Sequence, residues 1–587
     1  MAYFKLNTFN GIAPLIEPRL LRNEVGVTCE NVNLQHGNLT ALHPNSTHAT
    51  LNASSITSHY QYKFGGTTYN LEFDDDVDPV PGPIADDAFD RLYWTGQTFP
   101  RMASSTQITT GGSGAYPRSS FRLGVEAPAN APSAATPTGT DDGTQIKYST
   151  AYVYTFVTAF GEEGPPSDPS NVVTKVDGQS IVVTMSSTSG SKSDTNYTHK
   201  RLYRSNTGSN TTDFQFVTEV TLATTTFTDS KNNEALGEII PSTFWIAPPD
   251  DNATLYPNGQ MKGLTAVGNG IFAGFSGKRL CFSEPFLPHA WPVAYRVTLE
   301  DEIVGISMAG NVLFIGTKGT NYIASGTDPQ AMAIQKLEAA EPLLYKRSLV
   351  DMGGYCMYSG PDGLIAVENG QVTNVTEQLI SPAQWQGTYV VQSAGRHEGK
   401  YVGQNSLAAQ TPTAIIYDPK GGMNALTTVD TLLSNLANTN RGFYTNPDTN
   451  QLFLISKPAS GNCTVEKFDD SANDNKRTAT FKSKELPLPS PTSMNFVKVE
   501  ADSYAGSGVR VKVFGDGTEI FDATITASGS VFSATGSAPT SFSATTILEP
   551  ILRLPTGVHK VYQVEIISAN TVHEVCLAES IDELRAV

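Results

Sequence analysis

Carboxylate side chains are concentrated near residue 80, and several carboxylate oxygens close together are what a hard cation such as Ca²⁺ binds. The run consists of Asp74, Asp75, Asp76, Val77 and Asp78, and three more aspartates follow before residue 91. Its spacing lacks the glycine at the sixth position and the glutamate at the twelfth that an EF-hand loop requires. We therefore predict a solvated acidic loop flanked by prolines, with calcium binding as the alternative, and we assign no metal site.

Catalytic motifs are absent from the chain: it contains no Gly-x-Ser-x-Gly, no Walker loop and no His-Glu-x-x-His. Ser359-Gly-Pro-Asp362-Gly363 resembles the Ser-x-Asp-x-Gly turn of sialidase blades, but it occurs once and lacks the following Thr-Trp, so we interpret it as a hairpin turn. No pair of carboxylates stands out as the acid and base of a glycosidase. His289, between Pro288 and Ala290, is interpreted as a packed loop histidine. The sequence predicts no catalytic residue, no cofactor and no enzyme activity.

The cysteines indicate a protein that folds in a reducing compartment. Cys29, Cys281, Cys356, Cys463 and Cys576 are scattered, odd in number and in no Cys-x-x-Cys pair. This pattern argues against a disulfide framework and a structural zinc site. The N-terminus has no signal-peptide core, and no window approaches 18 consecutive apolar residues. We expect a soluble protein without membrane insertion.

Charge separates two classes of DNA-associated protein. The formal net charge is −18, and no basic cluster is present. A nucleic-acid-binding protein normally carries a basic face or stripe, whereas an acidic wall repels DNA. If DNA passes near this protein, the sign of its charge suits a conduit rather than a clamp.

Composition and patterning predict an all-β fold. Only 16% of the residues are charged, which disfavours large helical bundles, and the 50 glycines and 35 prolines interrupt the chain often. Residues 60–64 and 68–73 alternate around Gly65-Gly66, a clear hairpin signature. Residues 255–475 contain a loose repeat of 40 to 50 residues of paired strands with Gly or Asn turns, the period of a β-propeller blade.

We predict an irregular β-propeller core with an inserted sandwich and a C-terminal β-sandwich. Residues 127–137 and 486–491 are rich in proline and are predicted to be linkers, and Ser580-Ile-Asp-Glu583 matches a helix capping box. The predicted domains are an N-terminal extended or platform segment (1–50), hairpins belonging to the propeller (51–126), the inserted sandwich (127–248), the propeller (249–482), and the C-terminal sandwich with a short terminal helix (483–587).

The inserted segment resembles a fibronectin type III domain. The resemblance lies in the Tyr-x-Tyr-x-Phe-Val-x-Ala strand at residues 152–159 and the Gly-Glu-Glu-Gly-Pro-Pro-Ser turn at residues 161–167. Such domains are common attachment modules, and the resemblance implies nothing about catalysis.

Most of the chain, in the order of its parts, is similar to the tail nozzle (tail tubular) proteins of short-tailed bacteriophages. The similar segments are Phe9-Asn-Gly-Ile-Ala-Pro14, residues 282–292, residues 303–306 with 313–322, Tyr358-Ser-Gly-Pro-Asp-Gly-Leu364, and Ala578-Glu-Ser-Ile-Asp-Glu-Leu584. The resemblance implies a virion protein assembled in the host cytoplasm as a ring, usually a homo-hexamer. Such a ring lies below the portal and the tail adaptor protein, lines the DNA exit channel and carries fibres or spikes. Genomic DNA passes through without specific binding.

Within that interpretation, Asp74, Asp75, Asp76 and Asp78 are candidates for a lumen or gate element. The fibronectin-like insertion departs from the simplest nozzle proteins and is a candidate for exterior decoration or fibre attachment. The alternative is a receptor-binding or glycan-degrading tail protein, although the short-period β-helix repeat common in such trimers is absent. A cell-surface adhesin is a third alternative. The subunit number, the position in the tail, the contacts of each domain, the host and metal binding by the acidic loop stay open.

Overall fold

A computed structural model of the chain describes residues 3–34, 37–110, 114–187, 190–207, 212–405, 412–421, 426–433, 442–458, 460–529, 531–538 and 541–585. Strands dominate throughout, and the described helices are short. The predicted all-β class is therefore confirmed.

The described residues up to 250 form 21 strands. They are β1 Tyr3–Leu6, β2 Asn10–Ile12, β3 Val25–Gly26, β4 Thr28–Glu30, β5 Val32–Asn33, β6 Thr40–Ala41, β7 Ser46–Thr50, β8 Ser58–Phe64, β9 Thr67–Phe73, β10 Asp78–Pro81, β11 Leu92–Thr95, β12 Arg101–Ala103, β13 Phe121–Arg122, β14 Ser133–Ala134, β15 Tyr148–Thr150, β16 Tyr152–Thr158, β17 Val173–Lys175, β18 Ile181–Thr184, β19 Tyr197–Thr207, β20 Thr212–Thr221 and β21 Thr226–Asp229. The helix α1 spans Ser105–Thr109, and 3-10 turns span Pro18–Leu20 and Asn233–Ala235.

The next part of the chain, to residue 482, continues as short strands. They are β22 Lys262–Gly268, β23 Ile271–Ser276, β24 Arg279–Phe282, β25 Arg296–Thr298, β26 Ile303–Ala309, β27 Val312–Thr317, β28 Tyr322–Ser325, β29 Ala333–Lys336, β30 Val350–Asp351, β31 Cys356–Ser359, β32 Leu364–Glu368, β33 Gln371–Asn374, β34 Val391–His397, β35 Lys400–Asn405, β36 Ala414–Tyr417, β37 Leu426–Val429, β38 Tyr444–Thr445, β39 Leu452–Ser456, β40 Thr464–Lys467 and β41 Ala479–Lys482. The helical turns are 3-10 turns at Val293–Tyr295, Pro329–Ala331 and Lys346–Ser348, the helix α2 at Pro382–Gln384, and a π turn at Trp385–Tyr389.

The C-terminal part contains longer strands and one helix. They are β42 Leu486–Thr492, β43 Phe496–Ala501, β44 Val509–Gly515, β45 Thr518–Ser528, β46 Val531–Ala538, β47 Phe542–Ile547, β48 Ile551–Arg553, β49 His559–Ser568, β50 Val572–Ala578 and α3 Ile581–Arg585. The capping box predicted for α3 is present. Ser580 Oγ accepts a hydrogen bond from the Glu583 N–H, and Glu583 Oε2 accepts one from the Ser580 N–H.

The chain divides into two compact units. The first unit comprises residues 1–61, 309–321 and 337–587, and the second comprises residues 62–308 and 322–336. The boundary at residues 61 and 62 falls within β8, and the boundary at residues 308 and 309 falls within β26. The next strand, β27, belongs to the first unit.

The second unit contains two four-stranded antiparallel sheets, β10-β11-β12-β13 and β22-β23-β24-β25. Side chains from both sheets, including Tyr93 and Phe272, form one buried cluster with Trp291 of the connection between β24 and β25. Burying a large apolar side chain stabilises a fold by about 1.5–3 kcal/mol. The turn that joins β22 to β23 has positive φ at both Asn269 and Gly270, as a two-residue hairpin turn requires. The predicted Gly268-Asn-Gly270 turn is confirmed.

The inserted segment of the second unit is a sandwich of two three-stranded sheets, β14-β18-β21 and β16-β19-β20, with the pair β15-β17 beside them. Its core contains Tyr152, Tyr154 and Phe156 of β16, which face Ile181 and Val183 of β18. Every residue of β16 is buried, which fits the long apolar strand that the sequence predicts there. The boundaries of this domain stay predictions.

The first unit contains the four-stranded antiparallel sheets β30-β31-β32-β33 and β38-β39-β40-β7, the second of which is completed by the N-terminal strand β7. It also contains the antiparallel meander β34-β35-β36-β37, which continues through β4 and β41 into the large sheet that ends at β47. Meanders of four antiparallel strands are the repeating element of β-propellers. The predicted propeller-type core, with strand pairs joined by Gly or Asn turns, is therefore present.

The C-terminal sandwich of the first unit has two layers. One is the sheet β1-β50-β43-β48, and the other consists of the strands β41-β49-β44-β45-β46-β47. Alternate residues of β44, Val509, Val511 and Val513, are fully buried in its core. The N-terminal strand β1 pairs with β50, Tyr3 opposite Ala578. The first residues of the chain are thus part of the C-terminal sandwich.

Both predicted linkers differ from the prediction. Within residues 127–137, Ser133–Ala134 form β14 and pair with β18, and residues 486–492 form β42 and pair with β49. Proline cannot donate to a ladder and is confined in sheets to edges and strand starts. A proline-rich stretch therefore suits an edge strand as well as a linker, and sequence alone does not separate the two.

Candidate functional site

The acidic segment predicted as a loop is only partly a loop. Asp74 and Asp75 are exposed between β9 and β10, whereas Asp76 and Asp78 are partly buried. Asp78 is the first residue of β10, pairs with Thr95 and accepts a hydrogen bond from the Gly263 N–H at 3.1 Å. Asp78 is therefore a structural residue of the sheet, and the exposed part of the segment is reduced to Asp74 and Asp75.

The calcium alternative finds no support in the described part of the chain, which contains no group of three His, Cys, Asp or Glu side chains arranged to hold a metal ion. Of the aspartates that follow, Asp87 is engaged by Arg91, whose Nε lies 2.7 Å from Asp87 Oδ2. The five cysteines are all buried free thiols. None of the described helices is long and apolar enough to cross a bilayer.

Asp75 lines an open groove of about 500 Å³ in the second unit, together with Asp250, Asp251 and Tyr256. Arg122 lies behind this groove: its guanidinium is 3.5 Å from the Phe99 ring centroid and donates to Asp251 at 3.0 Å. The hydrogen bond from Arg122 lowers the pKa of Asp251. Lys192 Nζ lies 3.0 Å from Asp250 Oδ2, so Asp250 and Asp251 of the groove are both paired with Arg122 or Lys192.

A buried ionic network joins the inserted sandwich to the first sheet of the second unit. Arg91, which directly precedes β11 of this sheet, donates to Asp87 on one side and to Glu162 of the sandwich at 2.9 Å on the other. His289 lies beside them, with its Nδ1 4.0 Å from Glu162 Oε1. Burial raises the pKa of Glu162 to about 6 and lowers the pKa of His289 to about 4.

A carboxyl beside a histidine could serve as an acid–base pair, but these groups are closed to a substrate. Arg91, Glu162 and His289 are 8%, 6% and 3% exposed. The prediction of His289 as a packed loop histidine is confirmed: its ring stands edge-on to Trp245 at 5.9 Å between centroids. The network orients the sandwich rather than performing chemistry on a ligand.

The sandwich contains a second buried ion pair. Arg204 of β19 donates to Asp229 of β21 at 2.5 Å, and both side chains are fully buried. The Tyr152 hydroxyl donates to the same carboxylate at 2.8 Å, and Arg204 also donates to the Lys231 carbonyl. Buried charges persist only when they are paired and hydrogen-bonded. The pair therefore fixes how the two sheets of the sandwich meet.

The first unit contains a small polar cavity that the sequence interpretation missed. It has a volume of about 80 Å³ and is lined by His397, Lys400, Asp418 and Asp469 above an apolar floor. The His397 ring is 6% exposed, and its nitrogens have no hydrogen-bond partner among the described residues. Its Nε2 lies 3.9 Å from Asp469 Oδ2. Burial lowers the pKa values of both His397 and Lys400.

The signal for this cavity was present in the sequence His397-Glu-Gly-Lys400. Glu398 and Gly399 both adopt positive φ, so His397 and Lys400 pair directly across a two-residue hairpin turn. Neither residue type belongs to a recognised motif at this spacing. The cavity is polar and large enough for a few water molecules.

The Ser359–Gly363 segment that resembles a sialidase turn is a structural turn. It connects β31 to β32, and the Gly360 N–H donates to the Gly363 carbonyl at 2.9 Å. The indole of Trp385 donates to the Gly360 carbonyl at 2.9 Å. The interpretation as a hairpin turn is confirmed.

Comparison with known proteins gives no family. The chain matches no protein-family model and no curated protein. Solved structures that it resembles include the extracellular domain of a putative one component system from B. thetaiotaomicron (8% identity, 68% of this chain, 46% of that one, TM-score 0.26). Others are the WD40 domain of Neurospora crassa Pan2 (9%, 52% and 86%, 0.25) and YCF48 from Cyanidioschyzon merolae (12%, 52% and 94%, 0.25). The chain thus spans less than half the length of the first of these. TM-scores this low carry no argument about family or function.

Proposed function

We propose that this protein is a structural component of the tail of a short-tailed bacteriophage, a nozzle ring through which DNA leaves the virion. The ring is a homo-oligomer, six copies by the resemblance of the sequence to nozzle proteins. It contacts the tail adaptor protein and offers attachment surfaces to fibres or spikes. The proposal includes no catalytic activity and no cofactor.

The observation that carries the proposal is the distribution of charge on an all-β scaffold. The cations Arg91, Arg122 and Arg204 are buried in ion pairs. The acidic surplus includes the exposed residues Asp74 and Asp75, of which Asp75 lines the open groove. A wall of this sign repels the phosphate backbone and lets DNA slide past without binding.

The test combines negative-stain electron microscopy with mass photometry on the purified protein. The protein is measured alone and after incubation with the tail adaptor protein of the same phage. We expect rings of about six copies with a central channel. Elongated trimers would refute the proposal and favour the receptor-binding alternative, for which a host-glycan binding and cleavage assay is the next step. A protein that stays monomeric even with the adaptor would also refute it.

A further inference from the structure

The C-terminal sandwich ends in a strand with one neighbour. β47 is the last strand of its sheet and pairs only with β46 in the described part of the chain. Ser533 lies opposite Thr546, and Phe532 lies opposite Ile547, and the register of the ladder shifts between Ala534 and Gly536. One edge of β47 therefore faces away from the sheet.

This edge lacks charged side chains, which are one of the usual protections of a sheet edge. Natural proteins place charges, especially lysine, on exposed edge strands because a bare edge pairs with other chains. From Ala523 to Leu548 the sequence contains no Asp, Glu, Lys, Arg or His. Leu548, directly after β47, is 94% exposed, and Val531 at the start of β46 is 54% exposed. An edge of this composition is expected to be covered in the functional state.

A second uncharged edge lies in another sheet of the same unit. β7 is the outermost strand of the sheet β38-β39-β40-β7. Thr47 and Thr50 of β7 are exposed. From Asn31 to Tyr62 the sequence contains no Asp, Glu, Lys or Arg. Two different sheet edges of one chain thus share the same uncharged, hydroxyl-rich character.

The charge of the chain indicates what covers these edges. Two copies that each carry a net charge of −18 repel one another. Contact between copies is therefore least costly where neither surface is charged, as along β7 and β47. An acidic or basic partner would gain nothing from these edges, whereas a second copy of this chain avoids like-charge repulsion there.

We propose that β47 of one copy pairs with β7 of the next copy, extending the sheet across the subunit boundary. A contact between two different surfaces is heterologous, and heterologous contacts close into rings when the rotation between copies permits. The inference rests on the proposed ring, for which it names the contact between subunits. Main-chain hydrogen bonds would supply the affinity and the exposed Thr and Ala side chains the fit.

Cysteine cross-linking tests the pairing directly, because the five native cysteines are buried. One preparation carries Thr47→Cys or Thr50→Cys, and the other carries Ala544→Cys or Thr546→Cys. Directly opposed residues of paired strands have Cβ atoms about 4.5–5.5 Å apart, so at least one mixture should oxidise to a reductant-sensitive dimer. Each variant alone, and mixtures with Ile146→Cys from an 87% exposed site in the sandwich, should not cross-link.

Three outcomes overturn the inference. Absence of a cross-link in all four mixtures refutes the pairing, and if rings still form, the ring proposal stands without it. Cross-linking of Ala544→Cys to itself would show a twofold β47–β47 contact instead. Equal cross-linking with Ile146→Cys would show random collision.

A charge variant supplies an independent readout. Ala544→Lys with Thr546→Lys should raise the concentration required for ring assembly at least tenfold, while the thermal melting of the monomer stays unchanged. The matched control is Ile146→Lys with Val172→Lys, two other exposed positions, which should assemble as the wild type does. Unchanged assembly of the β47 variant would refute the inference.

Discussion

The buried pair of Arg204 and Asp229 allows a sharp test of how the sandwich is stabilised. Replacing Arg204 with Met removes the cation and leaves the Asp229 carboxylate without compensation in a site where both side chains are 0% exposed. Removing one partner of a buried ion pair typically costs about 3–5 kcal/mol. Since about 1.4 kcal/mol is a factor of ten, exchange of the protected amides of β16 and β19 should accelerate about a hundredfold to several thousandfold.

Hydrogen exchange with mass spectrometry measures this effect locally, without assuming that the whole chain unfolds in one step. The matched control is Lys147→Met, which removes the cation of an exposed pair with Asp141 in the same sandwich. Exposed pairs contribute about 0–1 kcal/mol, so exchange in this variant should change about fivefold at most.

The double variant Arg204→Met with Asp229→Asn determines whether charge is the cause. The asparagine retains an oxygen that accepts from the Tyr152 hydroxyl, which lies 2.8 Å from Asp229, but no longer buries an unpaired charge. We expect slower exchange in the double variant than in Arg204→Met alone. The reasoning fails if amide exchange in Arg204→Met is no faster than in Lys147→Met. It also fails if amide exchange in the double variant is faster than in Arg204→Met alone, because the two substitutions would then destabilise the sandwich additively.

Three further predictions follow from single features. The pKa of Glu162 is raised to about 6, so the folded state holds the Glu162 proton more tightly than the unfolded state does, and the contribution of Glu162 to stability falls as pH rises from about 4.5 to 6. The pKa of His289 is lowered to about 4, so the contribution of His289 to stability rises between about pH 4 and 6.5. Relative to the wild type between about pH 4.5 and 6, His289→Gln should therefore shift the slope of the denaturation midpoint against pH downward, and Glu162→Gln should shift it upward. Shifts of the same sign would contradict this. Asp74→Asn with Asp75→Asn should alter the rate of DNA ejection from reconstituted virions, and an unchanged rate would exclude these residues as a lumen element. Ser580→Ala should cost about 0.5–2 kcal/mol of local stability by removing the cap of α3, measured as faster amide exchange at the C-terminus.

Sequence patterns predicted the local features of this fold well because their causes are local. The turn at Asn269-Gly270 requires positive φ at two consecutive residues, and the residue types alone indicate it. The capping box at Ser580 and Glu583 likewise involves groups only three residues apart. The four-stranded sheets followed from strand pairs joined by such turns.

Features that depend on distant parts of the chain could not be predicted. The pairing of Tyr3 with Ala578 joins the two ends of the chain, and no short pattern encodes it. Arg204 lies on the same buried face of β19 as Leu202, and only the position of Asp229 explains how a cation is accommodated there. The cavity at His397 depends on Asp469, which lies in the turn after β40, a strand of a different sheet.

The acidic surplus of the chain has a consequence for assembly that can be measured. The chain has 57 acidic and 39 basic residues, and a buried pair such as Arg204 with Asp229 removes one group of each sign from the surface. The surface is therefore left with the acidic surplus, and copies that meet along uncharged strands still repel one another through the charges around the contact. Salt screens this repulsion over about 10 Å at 0.1 M ionic strength and about 3 Å at 1 M. Ring assembly should therefore strengthen as salt is raised, whereas an interface held by ion pairs would weaken, and mass photometry across a salt series distinguishes the two.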